Sequence, residues 1–348
     1  MIKLNFRRGG AYASKKAKNY LETIDPKDIQ EVTVIRHAAI GDLVATRPFL
    51  IELKKYFPNA KITLSVIRSY MYGIPDDLID AVHIIDKLDL ENKKKKTSVF
   101  QRIKQIKELP KQDIIFDLTD SSLSFLIMQI AQPKLKVGYP YRWIRRMFYD
   151  ITILRSDFTF ETMSMLHQLN ILGANTKHYP LEYKLSDKTC NKNEPYIIYF
   201  AGASIKARCW GDNNFIELIT LMLNKYPNHK HVVLKGIKED EGFNEIYELF
   251  KDNPSVIHQD ALPLDKIYDY LAEASLVIVG DTGLRNMALG VHVPTIGLIF
   301  AFGVSPLRYL PQVESHEVVY NLDFTKPSAE KVFDSTVKLM EKVYEEKF

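Results

Sequence analysis

The chain has 348 residues, more than one hydrophobic core usually supports, so we expect two domains of ordinary size. Its net charge of +4 is unevenly spread: residues 1–150 hold 27 Lys and Arg against 17 Asp and Glu, and the remainder holds 20 against 26. The two cysteines, Cys190 and Cys209, form no CxxC pair, and no apolar run reaches the roughly 18 residues of a membrane span. These features argue against a disulfide scaffold and a membrane-spanning protein, and favour a reduced, cytoplasmic chain, soluble or peripheral on the inner membrane.

The most informative segment of the first half runs from Val32 to Leu53. Val32–Arg36 is typical of a buried strand, Gly41 permits a tight turn, and Asp42 is expected to begin the following helix. The carboxylate would then lie at the C-terminal edge of a sheet, where open α/β folds bind ligands, and this placement suits a catalytic base. The alternative is a purely structural role, because Asp is a favoured helix N-cap residue.

Apolar runs of strand length alternate with helix-period segments in both halves, which predicts mostly parallel α/β sheets. The predicted strands are 32–36, 61–66, 82–85 and 113–117 in the first half, and 196–200, 231–235, 275–279 and 295–299 in the second. Between the two sets, residues 175–195 are polar and contain two prolines. We expect the linker there.

Basic residues of the first half form three groups. Residues 7–18 and 93–107 could hold the chain at an anionic membrane surface, or could simply be solvated. Arg142, Arg145 and Arg146 alternate with aromatic residues. Such a mixture could bind a sugar acid or phosphate of an acceptor, or could form the polar side of a helix.

A second strand, turn and helix pattern starts at Leu276. It contains Asp281, Thr282 and Gly283 in the turn. Such a turn would aim backbone N–H groups and a helix N-terminus into a cleft, which suits the pyrophosphate of a nucleotide sugar.

Together these segments resemble glycosyltransferase family 9, the heptosyltransferases of lipopolysaccharide core synthesis. The first signature is met by Ile40-Gly41-Asp42, by Thr46-Arg47-Pro48 and by the run from Leu53 to Ile62. The second is met by Asp281-Thr282-Gly283-Leu284 and Ala288, with Asn286 where the family has histidine. A third block has Ser204, Arg208 and Trp210, with Arg208 in place of a lysine. The resemblance spans roughly residues 30 to 345.

The resemblance implies an α/β fold of two Rossmann-like domains facing a central cleft, the GT-B glycosyltransferase architecture. Residues 1–178 would be the acceptor-binding domain with a basic N-terminal extension, and residues 179–348 the nucleotide-sugar-binding domain. The final helix, 328–347, could pack back on the first domain.

The resemblance also implies an inverting transfer in which Asp42 is the general base. Ser204, Arg208 and the backbone of Thr282 and Gly283 would stabilise the departing diphosphate, without a metal cofactor. Lys206 is a second candidate cation, and Glu239 resembles the acid that binds the nucleotide ribose. The implied donor is ADP-heptose, and the implied partner is a lipid-linked core oligosaccharide at the inner face of the membrane rather than a nucleic acid.

Asn286 cannot be protonated, so a role that requires charge at this position is lost or moves to Arg285, His292 or Arg308. The chain has no GxGxxG motif after a strand and no P-loop, which argues against a dehydrogenase or an NTPase. Two alternatives stay open. One is a nucleotide-sugar epimerase of similar two-domain fold, and the other is a non-catalytic protein that binds sugar nucleotides.

Overall fold

The protein is described by a computed structural model that covers residues 1–4, 11–87, 97–176, 180–202, 206–237, 244–300, 305–311 and 313–344, without the side chains of Lys206 and Asn244. It divides into two compact units. Unit 1 comprises Met1–Ser156 and Glu161–Glu182, and unit 2 comprises Asp157–Phe160 and Tyr183–Phe348.

Seven strands of unit 1 form one sheet within the described residues. They are β1 (Tyr12–Ala13), β2 (Glu31–Ile35), β3 (Lys61–Ile67), β4 (Ala81–Ile85), β5 (Ile114–Asp117), β6 (Leu135–Gly138) and β7 (Ile151–Thr152). Their order is β1-β7-β6-β5-β2-β3-β4, and all neighbours are parallel except β1 and β7. Apart from β1, this is the doubly wound order, in which the direction of winding reverses between β2 and β5.

Helices cover both faces of this sheet. They are α1 (Lys15–Glu22), α2 (Ile40–Tyr56), α3 (Val99–Ile106), α4 (Ser122–Ala131), α5 (Trp143–Arg146) and α6 (Glu161–Ile171). The neighbouring residues Ile115 and Phe116 of β5 point to opposite faces. Phe116 packs edge-on against Phe49 of α2, whereas Ile115 joins the apolar cluster of α3 and α4. On the outer side of α2, the Thr162 hydroxyl of α6 donates to the Ala45 carbonyl at 3.0 Å.

Helix α2 begins earlier than the sequence predicts. Its N-cap is Ala39, Gly41 lies buried in its first turn, and Asp42 is its third residue. Gly41 is not among the residues with positive φ, so no glycine-dependent turn occurs there. The prediction that Asp42 begins the helix was wrong, and so was the alternative that it serves as the N-cap. Gly41 and Leu43 are buried in the first turn of α2, so this turn already packs against the protein and the helix starts before Asp42.

The six described strands of unit 2 are parallel, in the order β10-β9-β8-β11-β12-β13. They are β8 (Tyr196–Phe200), β9 (Lys230–Leu234), β10 (Val256–Gln259), β11 (Leu276–Val279), β12 (Thr295–Leu298) and β13 (His316–Val319). This is again the doubly wound order, with its reversal between β8 and β11. The fold class predicted from the sequence is therefore confirmed, since both units are Rossmann-like α/β structures.

Five helices of unit 2 are described, namely α7 (Asp212–Lys225), α8 (Asn244–Phe250), α9 (Leu264–Ala272), α10 (Gly283–Gly290) and α11 (Ala329–Tyr344). The final helix, α11, belongs to unit 2, where Val332, Leu339 and Met340 join a core cluster with Phe215 and Met222 of α7. Among the described residues, no helix is both long and apolar enough to cross a membrane.

Candidate functional site

The two sequence-predicted segments occupy equivalent positions in their units. Asp42 follows β2, which borders the reversal of strand order in unit 1. Asp281 follows β11, and Arg208 follows β8, and these two strands border the reversal in unit 2. Ligands of doubly wound sheets bind outside the carboxyl ends of the strands at this point. The topology therefore supports a candidate site at each of these edges.

The Asp42 side chain is 43% exposed, and one of its oxygens lies 3.4 Å from a guanidinium nitrogen of Arg36. Asp42 lies in the first turn of α2, where the helix dipole also favours a negative charge. The buried Arg36 thus contacts the Asp42 carboxylate on the side facing the protein, and the carboxylate is also accessible to solvent. This combination suits a group that takes a proton from a bound molecule.

Arg36 is the buried centre of the charges around Asp42. It donates to the Leu118 carbonyl at 2.7 Å and lies 3.2 Å from Glu161 of α6. Glu161 also pairs with Arg155 at 3.0 Å. Burial opposes the charge of Arg36, but the carboxylates of Glu161 and Asp42 raise its pKa above the usual value. Arg36 thus links the carboxylates of Asp42 and Glu161, and Arg155 adds a second cation to the same cluster.

His37 is the other titratable group that follows β2. His83 donates from Nε2 to the Gln105 carbonyl at 2.9 Å, so its Nδ1 accepts from the Ser65 hydroxyl at 3.0 Å. The Ser65 oxygen is then free to accept from His37 Nε2, which lies 3.5 Å away. Burial and the charges of Lys87 and His83 lower the pKa of His37 to about 3. His37 is therefore neutral and only 8% exposed, whereas the Asp42 side chain is 43% exposed, which leaves Asp42 as the more accessible candidate.

In unit 2, Asp281 binds two guanidinium groups. Its oxygens lie 3.0 Å from Arg208 and 2.8 Å from Arg285. Arg285 is buried and stacks on the Tyr309 ring at 4.6 Å, whereas the Arg208 side chain is 38% exposed. Asp281 thus fixes two cations with one negative charge. The remaining positive charge is available to an anion.

The N-terminus of α10 adds to this positive potential. Thr282 is its N-cap but makes no side-chain capping bond, and its buried hydroxyl oxygen has no hydrogen-bond partner among the described residues. Gly283 is the first helical residue. An unsatisfied buried hydroxyl costs on the order of 1–3 kcal/mol, which an acceptor such as a phosphate oxygen would recover. Hydroxyl, helix N-terminus and guanidinium groups together make this edge of unit 2 a candidate anion site.

Three residues were candidates for the charge that Asn286 cannot carry. Arg285 and Arg308 both lie by the Tyr309 ring, at 4.6 and 5.9 Å from its centre. His292 instead follows the C-terminus of α10, where it packs against the Tyr183 ring. Asn286 is half-buried on α10. Arg285, in the first turn of α10, therefore supplies a cation near the N-terminus of this helix, whereas His292 lies beyond its other end.

The sequence model of glycosyltransferase family 9 (heptosyltransferase) matches residues 102–338. The chain belongs to glycosyltransferase family 9. The match includes the Asp281 segment, whereas Asp42 precedes it. The lipopolysaccharide heptosyltransferase 3 of Escherichia coli is 21% identical over 279 residues, which cover 75% of this chain and 81% of that protein.

Solved structures share the fold of this family 9 chain. The Escherichia coli heptosyltransferase WaaC with ADP-2-deoxy-2-fluoro heptose has a TM-score of 0.68 at 16% identity, and the likeness covers 89% of this chain and 99% of that one. The UDP-GlcNAc 2-epimerase of Neisseria meningitidis bound to UDP-GlcNAc has a TM-score of 0.53 at 13% identity, with coverage of 92% and 93%. At these identities the likeness extends to the fold and not to the reaction.

Some predicted residues of this family 9 chain cannot be examined structurally. Ser204 and Glu239 lie outside the described residues, as do the basic residues 93–96 and Arg7 and Arg8. Lys206 begins a short 3-10 turn that ends at Arg208, but its side chain is not described. Among the described residues, no group of three or more His, Cys, Asp or Glu side chains lies at metal-binding separation.

The three arginines predicted to contact an acceptor lie on or next to α5. Arg142 precedes the helix and is exposed, whereas Arg146 is half-buried at its end. Arg145 pairs with Asp120 at 3.1 Å and donates to the Ser122 hydroxyl at 3.0 Å. The structure therefore uses Arg145 to hold α5 in place, and Arg142 is the most accessible of the three.

Sequence reasoning did not single out Arg36, Glu161 and Arg155, although all three lie close to Asp42. Arg36 ends the predicted strand, and a charge next to a buried strand could have been noticed. Its partner Glu161 is 125 residues away in the chain. Only the packing of α6 beside α2 brings these groups together, so no local pattern contained the pairing.

Proposed function

We propose that this family 9 chain is an inverting glycosyltransferase that transfers heptose from ADP-heptose to a lipopolysaccharide or lipooligosaccharide core acceptor. Asp42 serves as the general base, and the edge of unit 2 formed by Arg208, Asp281 and α10 binds the donor diphosphate. The observation that carries the proposal is the positively charged N-terminus of α10 with its unpartnered Thr282 hydroxyl.

The reaction balances as a single displacement. An acceptor hydroxyl oxygen forms a bond to the anomeric carbon of the donor while its proton passes to the Asp42 carboxylate. The bond between that carbon and the diphosphate oxygen breaks, and the electron pair leaves with the nucleoside diphosphate. A positioned base typically contributes 10²–10⁴-fold to the rate.

Charge that develops on the leaving diphosphate is stabilised by groups already fixed in the fold. Arg208 is held by Asp281, and the backbone amides at the start of α10 are already fixed in the helix, where they can donate hydrogen bonds to an anion. Ser204, Lys206, Glu239 and Asn286 are proposed to complete the donor contacts. In this proposal the arginines and amides neutralise the diphosphate, and a divalent cation is not required.

The donor and the acceptor are supported by family likeness and by charge. The curated relative is a lipopolysaccharide heptosyltransferase, and the solved heptosyltransferase contains an ADP-linked fluorinated heptose. Residues 1–150, with 27 Lys and Arg against 17 Asp and Glu, suit an anionic acceptor. We therefore propose a lipid-linked core acceptor, met by a cytoplasmic enzyme peripherally at the inner membrane.

Calorimetric titration with ADP, UDP, GDP and ADP-heptose tests the donor site. We expect selective binding of ADP and ADP-heptose, and at least tenfold weaker binding in Arg208→Ala, because charge-assisted hydrogen bonds contribute about 1.5–3 kcal/mol. Lys251→Ala, which removes an exposed cation of unit 2 paired only on the surface, is the control and should bind normally.

The same experiment separates the alternatives. Selective UDP binding, followed by epimerisation of a UDP-sugar without any acceptor, would favour the epimerase whose fold the chain shares. ADP-heptose binding with no transfer to any core acceptor would favour a non-catalytic binding protein. Either result would contradict the proposed transfer.

A further inference from the structure

Residues 141–148 of unit 1 display large apolar side chains to solvent. Trp143 and Met147 are 72% and 67% exposed, and their neighbours Tyr141, Ile144 and Phe148 are each about half exposed. Isolated exposed apolar residues are common, but a contiguous group of this kind usually marks an interaction site. We name these five side chains the α5 surface.

The α5 surface is held by contacts of its segment with Asp120 and Phe125 of unit 1. Arg145 is fixed by Asp120 and lies 5.4 Å from the Phe125 ring centre, and Phe148 packs edge-on against the same ring at 5.5 Å. The Tyr141 amide donates to Asp120 at 2.7 Å. Because Asp120 and Phe125 anchor the segment from below, Trp143 and Met147 stay in water instead of folding back on the protein.

The charge next to this surface is positive. Arg142 is exposed and forms no ion pair with a described residue, and unit 1 carries the basic excess of the chain. Tryptophan, tyrosine and arginine together are typical of side chains that occupy the interface of a membrane. Arginine near an anionic surface adds about 1 kcal/mol of attraction.

The size of the α5 surface favours a bilayer over a protein partner. Aromatic side chains offer about 150–250 Å² each, so the three partly exposed aromatic side chains, together with Ile144 and Met147, provide on the order of 500 Å². A stable protein interface needs about 800 Å² on each partner. A bilayer needs less, because a few side chains can insert while arginine meets the headgroups.

We propose that the α5 surface docks unit 1 on a bilayer that contains anionic lipid, with Trp143 and Met147 inserted and Arg142 at the headgroups. The inference deepens the proposed function, because a lipid-linked acceptor would be met at such a surface. It reassigns Arg142 and Arg145 from acceptor contacts to a lipid contact and a structural anchor.

Tryptophan fluorescence gives a direct readout. The chain contains two tryptophans, Trp143 at 72% exposure and Trp210 at 2% in the core of unit 2. On addition of vesicles of phosphatidylcholine with phosphatidylglycerol, we expect a blue shift of the emission and quenching by brominated acyl chains. Both changes should vanish in Trp143→Ser, because Trp210 is shielded by the core in either state.

Vesicle flotation measures the affinity independently. Trp143→Ser combined with Met147→Ser should reduce partition into anionic vesicles at least about tenfold, since two exposed apolar side chains are removed. Arg142→Gln should reduce it about fivefold and weaken its dependence on salt. The matched control, Leu249→Ser with Leu322→Ser, removes two exposed apolar side chains of unit 2 and should leave partition unchanged.

Absence of vesicle binding by the wild-type chain would overturn the proposal, and so would equal binding by the Trp143 and Met147 variant. The assay contains neither donor nor acceptor. Failure of donor binding in calorimetry with intact vesicle binding would therefore contradict the proposed reaction and leave the docking surface standing.

Discussion

Asp42 and Asp281 both follow strands that border the reversal of strand order in their sheets, but their charged neighbours differ. Around Asp42, the cations Arg36 and Arg155 are balanced by Glu161 and by Asp42 itself. Around Asp281, two arginines face one carboxylate. The first arrangement suits a group that gains a proton, and the second suits a site that receives an anion. The chemical difference between the two edges is thus fixed by single residues on a common topology.

Buried histidines give the stability of the chain a predictable pH dependence. In unit 2, the Tyr199 hydroxyl lies 2.9 Å from His231 Nδ1, and the Tyr226 carbonyl lies 3.3 Å from Nε2. Burial lowers the pKa of His231 to about 4 from its usual 6.5. Between about pH 4 and 6.5, His231 therefore binds a proton in the unfolded chain but not in the folded chain. The contribution of His231 is fully present above pH 6.5 and is lost as the pH falls towards 4.

We expect the free energy of unfolding of the His231→Asn variant to fall less between pH 6.5 and 4 than that of the wild type. The wild-type free energy of unfolding should fall from pH 6.5 to 4 with a contribution from His231 of up to about 1.4 kcal/mol per pH unit. Urea unfolding at several pH values, followed by tryptophan fluorescence, measures the slope. His258→Asn removes an exposed histidine and should change it less. An unchanged slope in His231→Asn would contradict the assignment of a neutral His231.

At the scale of elements, α6 depends on its C-terminal glycine. Gly173 has a φ of +93°, and the Gly173 and Ala174 amides donate to carbonyls of the last turn of α6. A Cβ at Gly173 would lie 2.7 Å from the Lys3 carbonyl oxygen. This contact is too short, and the Lys3 oxygen belongs to the main chain, so it cannot move aside as a flexible side chain could. Because α6 also carries Glu161, the end of this helix helps to hold the charges below Asp42.

Gly173→Ala should lower the stability of unit 1 by at least about 2 kcal/mol, through a strained φ together with the clash. Gly211→Ala provides the comparison, because Gly211 has a φ of +110° but its nearest neighbour would be 3.9 Å from the new Cβ. Gly211→Ala should lose stability only through the backbone conformation, which favours glycine at this φ and at a ψ of 145°. Equal losses in denaturant unfolding would contradict the role given to the Lys3 carbonyl.

The sequence predicted the central strands well and the short or marginal ones poorly. The predicted strands 32–36 and 196–200 lie within one residue of β2 and β8, because buried parallel strands are continuous apolar runs. The strands β1, β6, β7, β10 and β13 were not predicted. β7 has only two residues, and β10 is a half-exposed edge strand, so neither shows a clear apolar period.

For the candidate sites, local sequence located the chain segments but not their partners. The Asp42 and Asp281 segments were recognisable because strand, turn and helix follow one another within a few residues. The link from Arg36 to Glu161 and the stacking of Arg285 on Tyr309 join separate parts of the chain. Such pairs depend on tertiary packing, which a single sequence without aligned relatives does not reveal.

At the scale of the whole molecule, two doubly wound units offer two different kinds of site. Unit 2 presents a fixed cationic edge with an uncapped helix N-terminus, and unit 1 presents an accessible carboxylate supported by a buried arginine. Family membership indicates a glycosyltransferase, and the proposed reaction gives each of these two edges a role in it. In the proposed reaction the donor binds to the edge of unit 2 and Asp42 takes part only in the transfer step. Substitutions can therefore impair donor binding and transfer separately.

Comparison of Asp42→Asn with the wild type tests this account most directly. Transfer from ADP-heptose to a core acceptor and calorimetric binding of ADP-heptose should be measured on the same preparations, with the exposed Asp76→Asn as the control. The account predicts that Asp42→Asn loses at least about 10² in kcat while binding the donor as tightly as the wild type. Near-normal transfer by Asp42→Asn would contradict it and would reduce Asp42 to a structural partner of Arg36.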